Sequence, residues 1–373
     1  MNTKHFYIAG CVALFSLTSP KCASSTQGIT NNNIMINLPS GHNNELISNH
    51  LQLSDIIYLE TIDSSLIRSI RRLIIHKDTI IILNDREEVL FFDMKGKFLN
   101  KIRNRGGGPG EYNHIIDIAI DYDRDDIILY TDNFSLFIYS LDGTFISKTD
   151  NIDTNNLYEK IIYNNNNLLF YNPLNTNDKS IIRSFDLNNS KYVDNKFIGK
   201  TADFILRQRG VPIVKSKSIW YVVPLGNSLL NLEGTVTYQI NCDKFGITDA
   251  ILDKQYTEPG KLVKEINEKQ ICYGFSSIRE TNKFIYFKSN VHDFIRLDKT
   301  NNEVKWCQYA RDLKNGISEM SYFPHDADDQ QIMFIVDFNG LENSDILKRH
   351  TEKMDDTHNE ELNPVLIFYK EKQ

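Results

Sequence analysis

Apolar residues in this chain come in short runs rather than at helical spacing. Asp55-Ile56-Ile57-Tyr58-Leu59, Leu73-Ile74-Ile75, Thr79-Ile80-Ile81-Ile82-Leu83 and Val89-Leu90-Phe91-Phe92 follow one another, β-branched or aromatic and separated by polar turn residues. Runs of that length and composition predict strands. Ile115-Ile116-Asp117-Ile118-Ala119-Ile120 continues the series, and no apolar periodicity of helix length interrupts it over this region.

One pattern then repeats. Phe92-Asp93-Met94-Lys95-Gly96-Lys97-Phe98-Leu99 recurs as Tyr139-Ser140-Leu141-Asp142-Gly143-Thr144-Phe145-Ile146, an aromatic residue, a tight turn with glycine and a return strand. Weaker copies start at Phe185, Tyr238 and Ile295, and a last one lies at Leu366-Ile367-Phe368-Tyr369. With Phe92, Tyr139, Phe185, Tyr238, Ile295 and Tyr369 as markers the intervals are 47, 46, 53, 57 and 74 residues. A period of roughly 40–50 residues with about four short strands per copy is the signature of propeller blades. The fold class predicted is therefore all-β: a six-bladed β-propeller with a short helical insertion near the C-terminus. That insertion is placed at residues 342–355, where Ser344 can cap a helix, and it accounts for the long last interval.

The ends predict closure. Pro364-Val365-Leu366-Ile367-Phe368-Tyr369 has no later partner in sequence, and Asp55–Leu59 precedes the first full repeat, so the two are expected to share one blade. Sharing removes the exposed edges that an open array leaves.

The N-terminus changes the domain picture. Lys4 and His5 precede an apolar stretch from Phe6 to Leu17, followed by small residues at Ala23-Ser24-Ser25. That is the layout of a secretory signal, too short to span a bilayer. Residues 1–25 are read as a signal peptide, possible also as a lipoprotein type with Cys22 or Cys11 as the anchor. Residues 26–53, rich in Asn, Ser and Gly, are read as a polar spacer, and 54–373 as the propeller. The expected location is outside the cytoplasm, in the periplasm or at the outer membrane or cell surface, with a lipid anchor as the one membrane attachment.

Composition is that of a globular protein with a large core: 41% hydrophobic, 11% aromatic and 24% charged. Without residues 1–25 the chain carries 40 basic against 49 acidic residues, a net charge of −9, which disfavours nucleic acid as a partner. Cys242, Cys272 and Cys307 are too few and too widely spaced for a disulfide framework or a zinc site, although one pair can bridge in an oxidising compartment. Histidines 42, 50, 76, 114, 292, 325, 350 and 358 show no metal-binding spacing, so no metal and no cofactor is expected.

The candidate ligand site is Arg103 to Tyr112. Four glycines and a proline between Gly106 and Gly110 exclude a helix or a strand interior. Successive N–H groups of such a loop can cradle an anion beside Arg103 and Arg105. Gly106, Gly107, Gly108, Gly110, Glu111 and Tyr112 complete the candidate set, against the alternative of a crossover between blades. It is not a P-loop, since no Gly-Lys-[Ser/Thr] follows. Asp121-Tyr122-Asp123-Arg124-Asp125-Asp126 has alternating carboxylates but Asp126 where a calcium loop needs glycine, and is read as a hairpin turn. Trp220, Tyr221, Tyr273, Tyr286, Trp306 and Tyr309 are candidates for rim residues that stack on sugars or peptides. No catalytic residue is nominated.

The run Arg105-Gly106-Gly107-Gly108-Pro109-Gly110-Glu111-Tyr112, the following Ile118-Ala119-Ile120-Asp121 and the ending Asn363-Pro364-Val365-Leu366-Ile367-Phe368-Tyr369-Lys370 resemble those of the exported six-bladed β-propeller proteins of Bacteroidetes, a group related to NHL-repeat propellers. The resemblance covers about residues 50–372 and implies a six-bladed ring on an exported, often lipid-anchored protein without assigned catalytic residues. The function expected is non-catalytic binding of a glycan, peptide or protein partner on one face of the ring. The alternative is a hydrolase or lyase acting on carbohydrate or peptide with carboxylates or histidines at the central channel.

Overall fold

The computed structural model describes residues 32–38, 46–153, 158–172, 181–196, 210–223, 225–233, 236–242, 245–252, 254, 259–320, 331–341, 345–351 and 362–372. Strand β1 (Asn32–Asn37) and strand β2 (Leu51–Tyr58) come first, and each joins a blade whose other strands lie far along the chain. Blade 1 is β3 (Ile70–His76), β4 (Thr79–Asn84), β5 (Val89–Asp93) and β6 (Phe98–Ile102), antiparallel in sequence order. Blade 2 is β7 (Ile115–Asp121), β8 (Asp126–Thr131), β9 (Leu136–Ser140) and β10 (Phe145–Thr149). Blade 3 is β11 (Lys160–Asn164), β12 (Asn167–Tyr171), β13 (Ile182–Asp186) and β14 (Lys191–Lys196).

Blade 4 has short strands β15 (Ile213–Lys215), β16 (Ile219–Tyr221) and β17 (Ser228–Asn231), then β18 (Val236–Asn241), with β1 added parallel along the free edge of β18. Helices α1 (Asp249–Leu252) and α2 (Pro259–Glu268) separate it from blade 5, which is β19 (Ser276–Glu280), β20 (Phe284–Lys288), β21 (Phe294–Asp298) and β22 (Val304–Cys307). Blade 6 combines β23 (Gln331–Val336), helix α3 (Asp345–Thr351) after it, and β24 (Val365–Glu371), with β2 on the outer side of β24.

The continuous apolar runs follow from this geometry. Each blade packs on both faces, so successive side chains that point to opposite sides are buried on either side. Ile80 and Ile82 enter a cluster with Met333, Ile335 and Leu366 of blade 6, whereas Ile81 and Leu83 pack on Ile118, Ile127 and Leu129 of blade 2. Six such clusters fill the spaces between neighbouring blades, and together they close the ring.

Closure by the two ends is as expected: Leu51 pairs with Glu371 and Tyr58 with Val365 along an antiparallel ladder between β2 and β24. The helix expected within 342–355 is α3; Ser344, expected as its cap, lies outside the described residues, as do residues 1–25.

Three features differ from the sequence reading. Residues 32–37, inside the stretch read as spacer, are a strand on blade 4, where parallel pairing with β18 satisfies a backbone edge that would otherwise face solvent. Tyr238 lies in the fourth strand of its blade, whereas Phe92, Tyr139, Phe185 and Ile295 lie in the third, which in blade 4 is β17. The excess length then falls between blades 4 and 5, in the α1–α2 insertion. Among its described side chains helix α2 buries Leu262 and Ile266, one turn apart, against Leu225, Ile247 and Ile271. Leu262, Val263 and Ile266 give this ten-residue helix an amphipathic pattern, but at about three turns it does not stand out from the strand runs around it.

Candidate functional site

The glycine-rich loop joins β6 of blade 1 to β7 of blade 2. Its backbone closes on itself: Gly106 N–H donates to Tyr112 O at 3.1 Å, Tyr112 N–H to Asn104 O at 2.9 Å and Glu111 N–H to Gly108 O at 3.0 Å. The Glu111 carboxylate accepts the Gly108 N–H at 2.8 Å. An internal carboxylate thus sits where the loop would receive an external anion. Gly106 has φ +154°, and a Cβ there would fall 2.1 Å from Glu111 Oε2. Gly110 has φ +74° and lies against the Phe145 ring.

Tyr112 is buried, and its hydroxyl donates to Glu87 O at 2.9 Å. Burial raises its pKa, helped by the nearby Tyr139. The Arg103 guanidinium pairs with Glu88 at 3.2 Å. Arg105 and Gly107 are exposed. The structure therefore brings the eight candidates together in one loop, where Gly106, Gly108, Glu111 and Tyr112 bond within the loop and Arg103 pairs with Glu88 outside it.

A second group forms at the opposite end of β7, where the first hairpins of the blades meet around the channel. The Asp121–Asp126 run is the hairpin turn between β7 and β8, with Asp121 Oδ1 accepting the Asp123 N–H at 3.0 Å and the Arg124 N–H at 3.2 Å. This turn lifts Tyr122 out of the sheet. Its ring meets His76 edge-on at 5.2 Å between centroids and Tyr163 at 6.2 Å, and the Lys215 ammonium lies 4.3 Å from its centroid. Blades 1, 2, 3 and 4 each supply one of these four side chains, yet 38% of Tyr122 stays exposed.

Polar groups fix the arrangement. Tyr163 Oη donates to Asp123 Oδ2 at 2.6 Å, and Lys215 Nζ donates to Tyr163 O at 3.1 Å. Burial raises the Tyr163 pKa, with the Asp123 acceptor adding to it. Burial also lowers the Lys215 pKa, opposed by Asp123. Asp125 accepts from Lys77 and from His76, the latter at 2.7 Å, and the Lys77 and His76 bonds lower its pKa in that order. Behind Tyr122 the channel narrows to a cavity of about 60 Å³ walled by the inner strands of blades 1 to 5, including Arg72, Ala119, Val214 and Arg279. That is room for about two waters.

Sequence reasoning missed this group because His76, Tyr163 and Lys215 lie 41 to 93 residues from Tyr122 in the chain, and the ring alone unites them. The aromatic-run signal pointed elsewhere. Trp220, Tyr221 and Tyr286 are buried, the indole of Trp220 donating to Glu280 at 2.9 Å, and Tyr273 and Trp306 are half-buried. Of those six, Tyr309 alone is exposed. Trp220, Tyr221 and Tyr286 pack because they sit on strands whose two faces are both covered. Among the described residues no three His, Cys, Asp or Glu side chains converge as a metal site, and no helix is long and apolar enough to cross a membrane.

The sequence profile of a family described as a domain of unknown function, DUF4934, matches residues 35–370. The crystal structure of an exported protein from Bacteroides fragilis NCTC 9343 is similar to this chain at a TM-score of 0.72 and 17% identity, covering 91% of this chain and 100% of that one. A DUF4221-family structure from Bacteroides vulgatus ATCC 8482 reaches a TM-score of 0.56 at 10% identity, covering 87% and 98%. At these identities the likeness is one of fold. No curated protein sequence matches the chain.

Proposed function

The chain belongs to the DUF4934 family, and we propose that it is a non-catalytic propeller of the cell envelope that binds a glycan at the ring end where Tyr122 covers the channel. One observation carries this reading: Tyr122 keeps 38% of its surface exposed while side chains from three other blades brace its ring. A braced, exposed aromatic ring loses little freedom when the apolar face of a sugar stacks on it. Hydroxyls of that sugar would find the polar rim around it, where Lys77, Asp125, Arg124 and Asn188 lie.

Binding is favoured over hydrolysis because the carboxylates nearest the ring, Asp123 and Asp125, are already engaged as acceptors by Tyr163 and by Lys77 with His76. Export rests on the signal-like N-terminus, and its exported Bacteroides neighbour agrees with it. Anchoring through Cys22 or Cys11 is part of the same proposal. The loop at 103–112 is the competing location on the other end of the ring.

The test is a glycan array on the full chain, followed by product analysis of every hit. Binding without turnover that is lost in Tyr122→Ala and kept in Arg103→Ala/Arg105→Ala supports the proposal. Turnover of a bound glycan, or binding lost only in the arginine variant, would overturn it.

A further inference from the structure

Blade 4 and blade 5 are joined by the longest described crossover in the ring, residues 242–272, which holds α1 and α2 over a small core of its own. Its two ends are cysteines. Cys242 follows β18 directly and Cys272 stands just before β19. Backbone hydrogen bonds hold these ends side by side: Phe245 N–H donates to Cys242 O at 3.0 Å, Cys272 N–H donates to Phe245 O, and Gly246 and Cys272 form a parallel bridge. Both side chains are buried in the same core between blades 4 and 5. Cys307 belongs to the other core of blade 5, against blade 6, with Ile317 and Tyr369.

The two thiols meet. Cys272 is in hydrogen-bonding contact with the Cys242 thiol first, and also with His292 and the Ser289 hydroxyl; these contacts lower its pKa against the burial that raises it. His292 is itself buried and its Nδ1 lies 3.1 Å from Ser289 Oγ.

We propose that Cys242 and Cys272 form a disulfide that staples the helical crossover shut in the mature protein, with Cys307 remaining a thiol. The oxidant is a disulfide of the exporting compartment, R–S–S–R. The Cys272 thiolate attacks one sulfur of R–S–S–R, forming Cys272–S–S–R and releasing RS⁻. The Cys242 thiolate then attacks the Cys272 sulfur and releases the second RS⁻. The two cysteine protons pass to the two leaving thiolates, so two Cys–SH and one R–S–S–R become one Cys–S–S–Cys and two RSH. Since both sulfurs are buried in the folded ring, exchange takes place while the crossover is open, during folding.

The bridge closes a loop of about 30 residues, long enough for it to constrain the unfolded chain appreciably. It also gives the crossover, whose own core holds few residues, a covalent attachment to the rim of the ring.

The experiment uses the full chain refolded in a buffer of reduced and oxidised glutathione, so its outcome does not depend on where the cell places the protein. The product is blocked with N-ethylmaleimide under denaturing conditions, digested without reduction and read by mass spectrometry. The expected result is a linked peptide pair containing Cys242 and Cys272, with N-ethylmaleimide on Cys307. Blocked Cys242 and Cys272, or any linkage through Cys307, would overturn the proposal. A reductant should lower the melting temperature of the oxidised protein by about 5 °C and leave Cys242→Ala/Cys272→Ala unchanged. Equal melting of the oxidised and reduced wild type would overturn the role as a staple.

Discussion

Asn363 and Ile67, 296 positions apart, are joined by a hydrogen bond of 2.7 Å from the Ile67 N–H to the Asn363 side-chain oxygen. The Asn363 amide nitrogen donates in turn to Glu60 O at 2.8 Å and Ser65 O at 2.9 Å, and the whole side chain is buried. Asn363, two positions before β24, thereby fastens the loop after β2, alongside the ladder that closes blade 6. Asn363→Ala leaves two buried backbone groups, the Ile67 N–H and Ser65 O, without that partner, while Glu60 O keeps the Ser65 hydroxyl, and should cost roughly 2–4 kcal/mol. Urea denaturation would read this as a lower midpoint with an unchanged slope. Deleting residues 363–373 removes β24 with it and should abolish the cooperative transition.

The glycine-rich loop separates two kinds of glycine. Gly110 has φ +74°, and an added Cβ would lie 2.7 Å from Cγ of Phe145. Gly110→Ala should therefore destabilise the ring by roughly 2–4 kcal/mol, through backbone strain and displacement of the ring. Gly107 has open space at that position. Gly107→Ala should stay within about 0.5 kcal/mol of the wild type. Thermal melting of the two variants side by side checks both.

Hairpin carboxylates give the ring an acid limit. Asp142 accepts from the Ser140 hydroxyl and from the Thr144 N–H, and Asp186 accepts from the Asn189 side chain and from the Asn189 and Asn188 N–H groups. These bonds, led by Ser140 and by Asn189 respectively, lower both pKa values. A carboxyl whose folded pKa lies below its unfolded value stabilises the fold above the unfolded value, about 3.9, and loses that contribution as pH falls through the folded value. Stability should then fall below about pH 4. Asp142→Asn/Asp186→Asn should show a shallower fall over that window, measured by melting against pH; an identical slope would remove these turns as a cause.

The blades were legible because both faces of each strand are buried. Ile80 to Leu83 reads as an unbroken apolar run for that reason, and the turn after Phe92 repeats after Tyr139 because the same tight connection is needed. The closing ladder was legible too, from two unpartnered strands at the ends. What could not be read depends on tertiary placement. Asn32–Asn37 offers only Ile34-Met35-Ile36 between asparagines, and its partner β18 lies far along the chain, so its place on blade 4 shows only in the fold. Helix α2 is amphipathic but only ten residues long, so its period does not stand out from the strand runs around it. The glycine loop stood out in sequence through its unusual backbone, whereas Tyr122 stood inside an acidic turn, and His76, Tyr163 and Lys215 reach it only when four blades are in place.

Tyr122 is the residue on which the functional reading stands. The most direct measurement is calorimetric titration of the best glycan from the array into the wild type and into Tyr122→Ala, with circular dichroism to confirm that both are folded. The account predicts that the variant keeps its melting temperature and binds at least about tenfold more weakly, since the lost stacking is worth on the order of 1.4 kcal/mol or more. Equal affinity in the two folded proteins would contradict it.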